Sequence, residues 1–232
     1  MTQFSRYRSS LQRRAVTARK KSPAIRRFEG RFGSLPAFVV TGTGRCGTQY
    51  IAELFRLCGV SCGHEMVYRR EGVFPRVGCR GESSWYAAAY LDDFDGVVLH
   101  QVRDPLQTIS SLASRQMWEP GSAIATFVED FVELGGDPVE DAIAFYVGWN
   151  LLCEKNAQYR YQVERIDDEL SILLGKVAPR RAHLAPEVLP RLSKRINSRP
   201  RRVTYQSYEQ LPGGLARDEL LKMAARYGYT TE

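Results

Sequence analysis

Short apolar runs alternate with helical patterns along most of the chain. Residues 37–42 and 96–103 have the apolar, β-branched composition of buried strands, and the first run is followed by apolar positions at helical spacing (Ile51, Leu54 and Phe55). Strands that alternate with helices predict a parallel sheet with helices on both faces. We therefore expect an α/β fold of three layers with a central parallel sheet flanked by helices.

Start and stop signals indicate the remaining elements. Pro105 and Asp137-Pro138 are typical of helix starts, and Gly59 and Gly175 are typical of helix ends. The pattern further predicts a loop at 68–82, helices at 85–91, 122–134 and 215–226, strands at 159–164 and 203–205, and a loop-rich connection at 176–202. Because parallel strands end at one edge of a sheet, the turns after the first two strand-like runs are expected on the same side.

A glycine-rich turn follows the first predicted strand. It runs from Gly42 to Gly47 in a G-x-x-x-x-G frame before a predicted helix, which is the layout of a loop whose backbone N–H groups bind phosphate. Nucleoside triphosphatases continue this frame with Lys and then Ser or Thr, which reach the outer phosphates and Mg²⁺. Thr48 and Gln49 stand there instead, and the cation lies inside the loop, at Arg45. The loop therefore predicts phosphate binding through one guanidinium, without a metal ion.

A second cation ends the other strand-like run. Arg103 follows the apolar residues, and Ser111 lies eight positions further on, within a predicted helix. The loop at 45–48 (Arg-Cys-Gly-Thr) and the Arg103/Ser111 pair, taken in this order, resemble the sulfotransferases that use 3′-phosphoadenosine 5′-phosphosulfate (PAPS). The resemblance covers most of residues 36–175 and is less close beyond Ser111.

The resemblance implies a P-loop-type fold, an activity and a set of binding residues. In that family the loop binds the 5′-phosphosulfate, and the later Arg and Ser bind the 3′-phosphate, without a metal ion. The implied activity is transfer of a sulfuryl group from PAPS to a hydroxyl or amine, which leaves adenosine 3′,5′-bisphosphate. The residues implied to bind PAPS are Arg45, Cys46, Gly47, Thr48, Gln49, Arg103 and Ser111. Arg45 is also expected to act in catalysis, by stabilising charge on the departing phosphate.

The acceptor must lose a proton, and this requires a base. Gly63-His64-Glu65 follows a short extended segment twenty residues after the loop cation. In the tyrosylprotein branch of the family, a Cys-Gly-Glu-Glu sequence in a similar place supplies a Glu base, whereas cytosolic members use a His in another loop. Glu65 is therefore the first candidate and His64 the second, and a plain polar role on an exposed loop stays open for both.

Other polar and aromatic residues are weaker candidates. Glu71, Glu82 and His100 carry groups that accept protons, but a structural role is expected for His100 because it lies within a strand. Ser84 and Trp85 precede a predicted helix, where they either line the acceptor side or, in the case of Trp85, pack in the core. The acceptor itself, a small molecule or a glycan, is not indicated by the sequence.

Charge is concentrated near the N-terminus. Residues 1–35 hold ten Lys or Arg and one Glu, a net charge of +9 in a chain whose formal total is +7, so residues 36–232 carry −2. We expect a basic arm at 1–35 and a single sulfotransferase-like α/β domain at 36–232. The arm either packs on the domain as a solvated segment or attracts a polyanion, such as an acidic polysaccharide, nucleic acid or a partner.

The cysteines and the hydropathy bear on location. The five cysteines are scattered and lack a C-x-x-C spacing, and the chain has only three histidines, so a zinc site is not expected. Such usage indicates reduced thiols and a cytoplasmic setting. No apolar run approaches the ~20 residues of a membrane span, and no signal-peptide core is present near the start. We expect no contact with a membrane.

Two other functions stay open at this level. A small P-loop kinase with ATP and Mg²⁺ would share the glycine frame, although Thr48 and Gln49 stand where its Lys and hydroxyl belong. A non-catalytic protein that keeps the fold and binds a polyanion through its basic arm would share the charge distribution. Binding of adenosine 3′,5′-bisphosphate, compared with binding of ATP, distinguishes the sulfotransferase from the kinase.

Overall fold

The computed structural model describes residues 34–114, 116–119, 121–192 and 203–231. The predicted basic arm at 1–35 therefore lies outside the described residues, apart from its last two positions. Among the described residues, five parallel strands form a central sheet and two short antiparallel strands form a hairpin. The strands are β1 (Phe38–Thr41), β2 (Cys62–His64), β3 (Tyr68–Arg69), β4 (Gly72–Val73), β5 (Gly81–Ser83), β6 (Val97–Val102) and β7 (Tyr159–Gln162), of which β3 and β4 form the hairpin.

Helices connect these strands and follow the last of them. The α-helices are α1 (Thr48–Leu57), α2 (Pro105–Ala113), α3 (Ala123–Glu129), α4 (Pro138–Glu154), α5 (Ile166–Val177), α6 (Ala185–Val188) and α7 (Leu215–Arg226). Short 3₁₀ segments lie at Trp85–Asp93, Gln116–Trp118, Val163–Arg165, Pro179–Leu184, Leu189–Arg191 and Tyr208–Gln210. In the described part of the chain, no helix combines the length and apolarity that crossing a membrane requires.

The order of the strands places β1 in the middle of the sheet. The order is β2-β5-β1-β6-β7, and β1 pairs with β5 on one side and β6 on the other, with Thr41 opposite His100. The turns after β1 and β6 therefore leave the same edge of the sheet as neighbours. From β1 the chain continues to β2 on one side of the sheet, and from β6 it continues to β7 on the other side. The connections therefore reverse direction between β1 and β6, and open α/β sheets bind their ligands at such a switch point.

Helices cover both faces of the sheet. On one face, α4 and α7 pack around a buried aromatic cluster that includes Trp85, Phe145 and Trp149. On the other face, α1 and α5 pack through side chains such as Phe55 and Leu173. Burying one large apolar side chain contributes ~1.5–3 kcal/mol, so the two helical layers stabilise the sheet from both faces. The expected α/β fold with a central parallel sheet is confirmed.

A side-chain cap fixes the turn after β6. The side chain of Asp104 accepts a hydrogen bond from the N–H of Gln107 at 2.7 Å. Pro105 occupies the first turn of α2, where its missing N–H costs nothing because an N–H at this position has no partner within the helix. The hydroxyl of Tyr146 on α4 donates to the carbonyl of Arg103 at 2.9 Å. The cap and this bond hold the backbone of Arg103 in place at the edge of the sheet.

The loop predicted at 68–82 is wrong in part, because it contains the hairpin and β5. Gly81–Ser83 lies between β1 and β2 in the sheet, although its composition is typical of a turn. The ring of Phe38 fills the space beside Gly81, where an added Cβ would lie 1.9 Å from a ring carbon. Only a residue without a side chain fits at this point of the strand, and sequence patterns assign such residues to loops.

The strand predicted at 203–205 is also wrong. These residues run beside α2, where the N–H groups of Val203 and Tyr205 donate to the hydroxyls of Ser114 and Ser110 at 3.2 and 2.9 Å. Side-chain acceptors take the place of a neighbouring strand, so an extended segment forms without entering the sheet.

Several element ends differ from the prediction. α5 continues through Gly175 to Val177, because Gly175 does not adopt the positive φ of a terminating glycine. α3 ends at Glu129, several residues earlier than predicted, and β7 ends at Gln162. The connection predicted at 176–202 holds α6 and two 3₁₀ segments as far as the residues are described.

Candidate functional site

The turns after β1 and β6 meet at the carboxyl edge of the sheet. Arg103 Nη1 donates to the backbone carbonyl of Arg45 at 3.0 Å, and Arg45 Nε donates to Ser111 Oγ at 3.0 Å. Arg103 Nη2 also donates to Gln107 Oε1 at 3.1 Å. The structure thus brings together three residues that the sequence predicts to bind one nucleotide, although 58 and 66 positions separate Arg103 and Ser111 from Arg45.

The loop between β1 and α1 has the backbone of an anion-binding turn. Arg45 and Gly47 have φ of 72° and 102°, in the left-handed region, and the N–H of Cys46 donates to the carbonyl of Thr43 at 3.3 Å. α1 begins at Thr48 without a side-chain cap and without an acidic residue in its first turn, where Gln49 lies half-buried. Backbone of this kind aligns successive N–H groups, and the helix N-terminus adds positive partial charge. The loop therefore suits a phosphate group.

Gln101, which the sequence pattern did not indicate, supports the loop from β6. Its Nε2 donates to the carbonyl of Cys46 at 2.6 Å, and its Oε1 accepts from the hydroxyl of Tyr161 at 2.5 Å. Burial raises the pKa of the Cys46 thiol to about 12, so the thiol is neutral. The backbone N–H and carbonyl of Cys46 are already bonded to Thr43 and Gln101, so this predicted binding residue supports the loop from inside. A polar amide within an apolar strand is the signal that could have identified Gln101.

Gly42 is sterically required in this loop, whereas Gly44 is not. An added Cβ at Gly42 would lie 2.1 Å from the carbonyl oxygen of Gln101, but at Gly44 the nearest atom is a ring carbon of Phe145 at 3.7 Å. We expect Gly42→Ala to lower the free energy of unfolding by ~1–3 kcal/mol, the usual cost of overpacking, and Gly44→Ala to change it much less. Urea unfolding of the two matched variants measures this difference, and equal destabilisation would contradict the steric argument.

His64 and Glu65 lie at the end of β2, beside the start of α1. His64 Nε2 lies 3.1 Å from Thr48 Oγ1 and 3.7 Å from Glu65 Oε1. Burial raises the pKa of Glu65, and the charge of Glu82 raises it further. Burial lowers the pKa of His64, and the charge of Arg56 adds to this effect. The structure thus brings both base candidates to the loop between β1 and α1, with an imidazole biased to its neutral form and a carboxylate of increased proton affinity.

The two residues predicted to line the acceptor side lie in the interior. Ser84 is fully buried, and its hydroxyl donates to the carbonyl of Tyr68 at 2.9 Å. Trp85 is 6% exposed, and its carbonyl accepts the indole N–H of Trp149 at 2.8 Å. The structure supports the packing role that the sequence left open for Trp85, and it places neither side chain on the surface beside the loop.

His100 and Glu71 lie apart from this cluster. His100 Nε2 donates to Asn150 Oδ1 at 2.9 Å, since the amide nitrogen of Asn150 itself donates to the carbonyl of Tyr146. Burial lowers the pKa of His100 to about 4, so its imidazole is neutral. Glu71 lies exposed on the hairpin and pairs with Arg70 at 2.7 Å.

A cavity of about 330 Å³ beside β7 is lined by His100, Glu154, Ala157, Gln158, Tyr159, Arg160 and Arg226.

The cluster at the carboxyl edge of the sheet combines three kinds of chemical group. Two guanidinium groups and a hydroxyl provide hydrogen-bond donors, the loop provides backbone amides, and a carboxylate with an adjacent imidazole provides a base. Within the described residues, no group of three or more His, Cys, Asp or Glu side chains is arranged to hold a metal ion. A search for similar proteins finds no match to this chain among protein-family models, curated proteins or solved structures.

Proposed function

We propose that this chain is a sulfotransferase with a P-loop-type fold, which uses PAPS and transfers a sulfuryl group to a hydroxyl or amine. The observation that supports this proposal is the contact of Arg103 with the loop carbonyl of Arg45, and of Arg45 with Ser111. Guanidinium groups, a hydroxyl and loop amides are the groups that bind phosphate and sulfate oxygens. The donor set at this edge therefore fits a nucleotide with anionic groups at two positions.

The two ends of the nucleotide are assigned to different parts of the cluster. The amides of Gly47 and Thr48, with the guanidinium of Arg45, would hold the 5′-phosphosulfate. The planar fork of Arg103 and the hydroxyl of Ser111 would hold the 3′-phosphate. Arg45 and Ser111 bond to each other here, and a phosphate oxygen can replace that bond with charge-assisted ones, which are stronger.

The chain's own groups then account for the chemistry. PAPS supplies the sulfuryl group and leaves as adenosine 3′,5′-bisphosphate. Glu65 takes up the proton that the acceptor hydroxyl loses as the new S–O bond forms. Arg45 stabilises the electron pair that stays on the phosphate oxygen as the old S–O bond breaks. His64, held between Thr48 and Glu65, orients the base relative to the loop.

The remaining expectations belong to the same proposal. The acceptor is a small molecule or a glycan, the protein acts in the cytoplasm with its cysteines reduced, and no metal ion takes part. The basic arm would contribute contacts to a polyanion, and it lies outside the described residues. A kinase is the second candidate on the glycine frame alone, but no observation at the site favours it over sulfuryl transfer.

Calorimetric titration with adenosine 3′,5′-bisphosphate and with ATP, each with and without Mg²⁺, tests this proposal. We expect the bisphosphate to bind with an affinity on the order of micromolar without Mg²⁺, and ATP to bind far more weakly. A preference for ATP that depends on Mg²⁺ would overturn the proposal in favour of the kinase. Tight binding of the bisphosphate without transfer of [³⁵S]sulfate from PAPS to any acceptor in a broad panel would support the non-catalytic alternative.

A further inference from the structure

A buried carboxylate lies directly behind the candidate base. Glu82 is the central residue of β5 and is fully buried. Its Oε1 accepts the backbone N–H groups of Met66 at 2.5 Å and Val67 at 2.9 Å. Burying a carboxylate is unfavourable unless hydrogen bonds replace its hydration. Burial raises the pKa of Glu82, and the amide bonds from Val67 and Met66 oppose this rise by stabilising the charged form. The chain thus keeps a costly group at a position that a Val or Thr would fill in an ordinary strand.

The turn at residues 65–67, which carries Glu65, is held by hydrogen bonds to β5, and we call this set of bonds the clamp. The N–H of Glu65 donates to the carbonyl of Ser83 at 3.2 Å, so three consecutive amides, at 65, 66 and 67, donate to two consecutive residues of β5. Glu65 has φ of 51°, in the left-handed region that residues other than glycine seldom adopt. Such a conformation persists only where its surroundings hold it, and it is typical of functional sites.

The carboxylate of Glu82 occupies space on β2 that is open because Gly63 has no side chain. An added Cβ at Gly63 would lie 2.1 Å from Glu82 Oε2, so any other residue would displace the carboxylate. Cys79 Sγ lies 3.9 Å from the same oxygen. The glycine of the Gly63-His64-Glu65 sequence is therefore explained by the group behind it, and the base turn and Glu82 form one structural unit.

We propose that Glu82 is a positioning residue, whose carboxylate holds the 65–67 turn in the strained conformation that directs Glu65 to the acceptor and keeps a negative charge next to that base. This inference rests on the proposed function for the role of Glu65. It goes beyond that function because it assigns the clamp, and the electrostatic environment of the base, to a residue that does not touch the substrate.

The charges around Glu65 determine the expected direction of its titration. Burial is the largest cause of its raised pKa, and the negative charge of Glu82 is the second. Removing that charge should lower the pKa of Glu65, so the base would ionise at lower pH. Among the described residues, the other ionisable groups near this unit are Cys62 and His64 on β2, Arg69, Arg70 and Glu71 on the hairpin, Arg76 and Cys79 before β5, Tyr86 after it, and Glu53 and Arg56 on α1.

Two substitutions of Glu82 separate the hydrogen bonds from the charge. Glu82→Gln keeps an oxygen that can accept from Met66 and Val67, but it removes the charge. Glu82→Met keeps the approximate volume and removes both. Glu71→Gln is the matched control, because Glu71 is an exposed carboxylate on the hairpin that bonds to Arg70 and not to the 65–67 turn.

The first measurement uses the protein without any nucleotide. Carbon-13 NMR of the Glu65 carboxyl, assigned with a Glu65→Gln protein, follows its titration, and amide hydrogen exchange follows the turn. We expect Glu82→Gln to move the titration of Glu65 to lower pH, and Glu82→Met to accelerate exchange at residues 66 and 67. Glu71→Gln should leave the turn unchanged. A wild-type titration in Glu82→Gln, or wild-type exchange in Glu82→Met, would overturn the proposal.

The second measurement is the pH profile of sulfuryl transfer. We expect Glu82→Gln to shift the acid limb of kcat to lower pH with little loss at its maximum. We expect Glu82→Met to lower kcat by about 10²-fold, as when a catalytic group is displaced. Wild-type kcat in Glu82→Met would count against positioning. If neither the wild type nor any variant transfers sulfate, but the expected changes in the NMR titration and in hydrogen exchange are observed, the role of Glu82 in holding the turn is supported and the proposed function fails. The two proposals are therefore tested separately.

Discussion

Replacing Glu65 with Gln is expected to lower the kcat of sulfuryl transfer by about 10²–10⁴-fold, the usual contribution of a general base. The substitution keeps the size of the side chain and its ability to contact His64, which lies 3.7 Å away. It removes the group that takes up the acceptor proton. The affinity for adenosine 3′,5′-bisphosphate should stay at the wild-type value, because the nucleotide contacts are assigned to the loop, Arg103 and Ser111.

The control for this prediction is the second base candidate. His64→Asn should lower kcat less than Glu65→Gln does, because His64 is expected to orient the base and not to replace it. Initial rates at saturating PAPS, with the bisphosphate affinity measured in parallel, give both quantities. An active Glu65→Gln protein together with an inactive His64→Asn protein would transfer the role of base to His64, whose lowered pKa keeps it unprotonated at neutral pH.

Replacing Arg103 with Ala is expected to weaken binding of the bisphosphate by ~1.5–3 kcal/mol, or roughly 10- to 150-fold, the range for losing a hydrogen bond to a charged group. Arg103 also donates to the carbonyl of Arg45, so part of the loss comes from a loop that is held less firmly. Arg103→Lys should recover a part of the affinity, since it restores the charge without the planar fork.

A matched substitution tests whether this loss is local. Arg160 is also partly exposed and lies on β7, with its guanidinium over the ring of Tyr227 at 4.5 Å, away from the loop cluster. Arg160→Ala removes the same charge and should leave the bisphosphate affinity nearly unchanged. Calorimetry of the three proteins at one ionic strength makes the comparison, because salt screens long-range attraction. Equal losses in Arg103→Ala and Arg160→Ala would show a general charge effect and remove Arg103 from the site.

The proposed binding residues could be predicted because the signals that carry them are local. The glycine frame and Arg45 lie within six positions, and Arg103 and Ser111 lie within one turn and one helix. The pattern also indicated β1 and β6, and parallel strands end at the same edge of a sheet. The contact of Arg103 with the loop carbonyl follows from this order and register, so the sequence was sufficient to expect these groups on one side.

The rest of the site could not be predicted, because it depends on residues that meet only after folding. Gln101 belongs to a strand that was predicted from its apolar residues, and Glu82 belongs to a segment that the sequence pattern predicts to be a loop. Their roles come from a carbonyl 55 positions away and from two amides 15 and 16 positions away. A side chain's propensity does not encode such partners, since a polar group is satisfied by whichever element packs against it.

The sequence by itself determined the class of fold, the position of the glycine-rich loop before α1 and the order of the groups proposed to bind the nucleotide. These features arise from backbone preferences and periodicities over a few residues. The tertiary structure alone decided that β5 lies within the sheet, that 203–205 does not, and that a buried carboxylate clamps the turn of the candidate base. The physical reason is that burial, steric fit around Gly63 and Gly81, and hydrogen bonds between distant segments act only once the layers have packed.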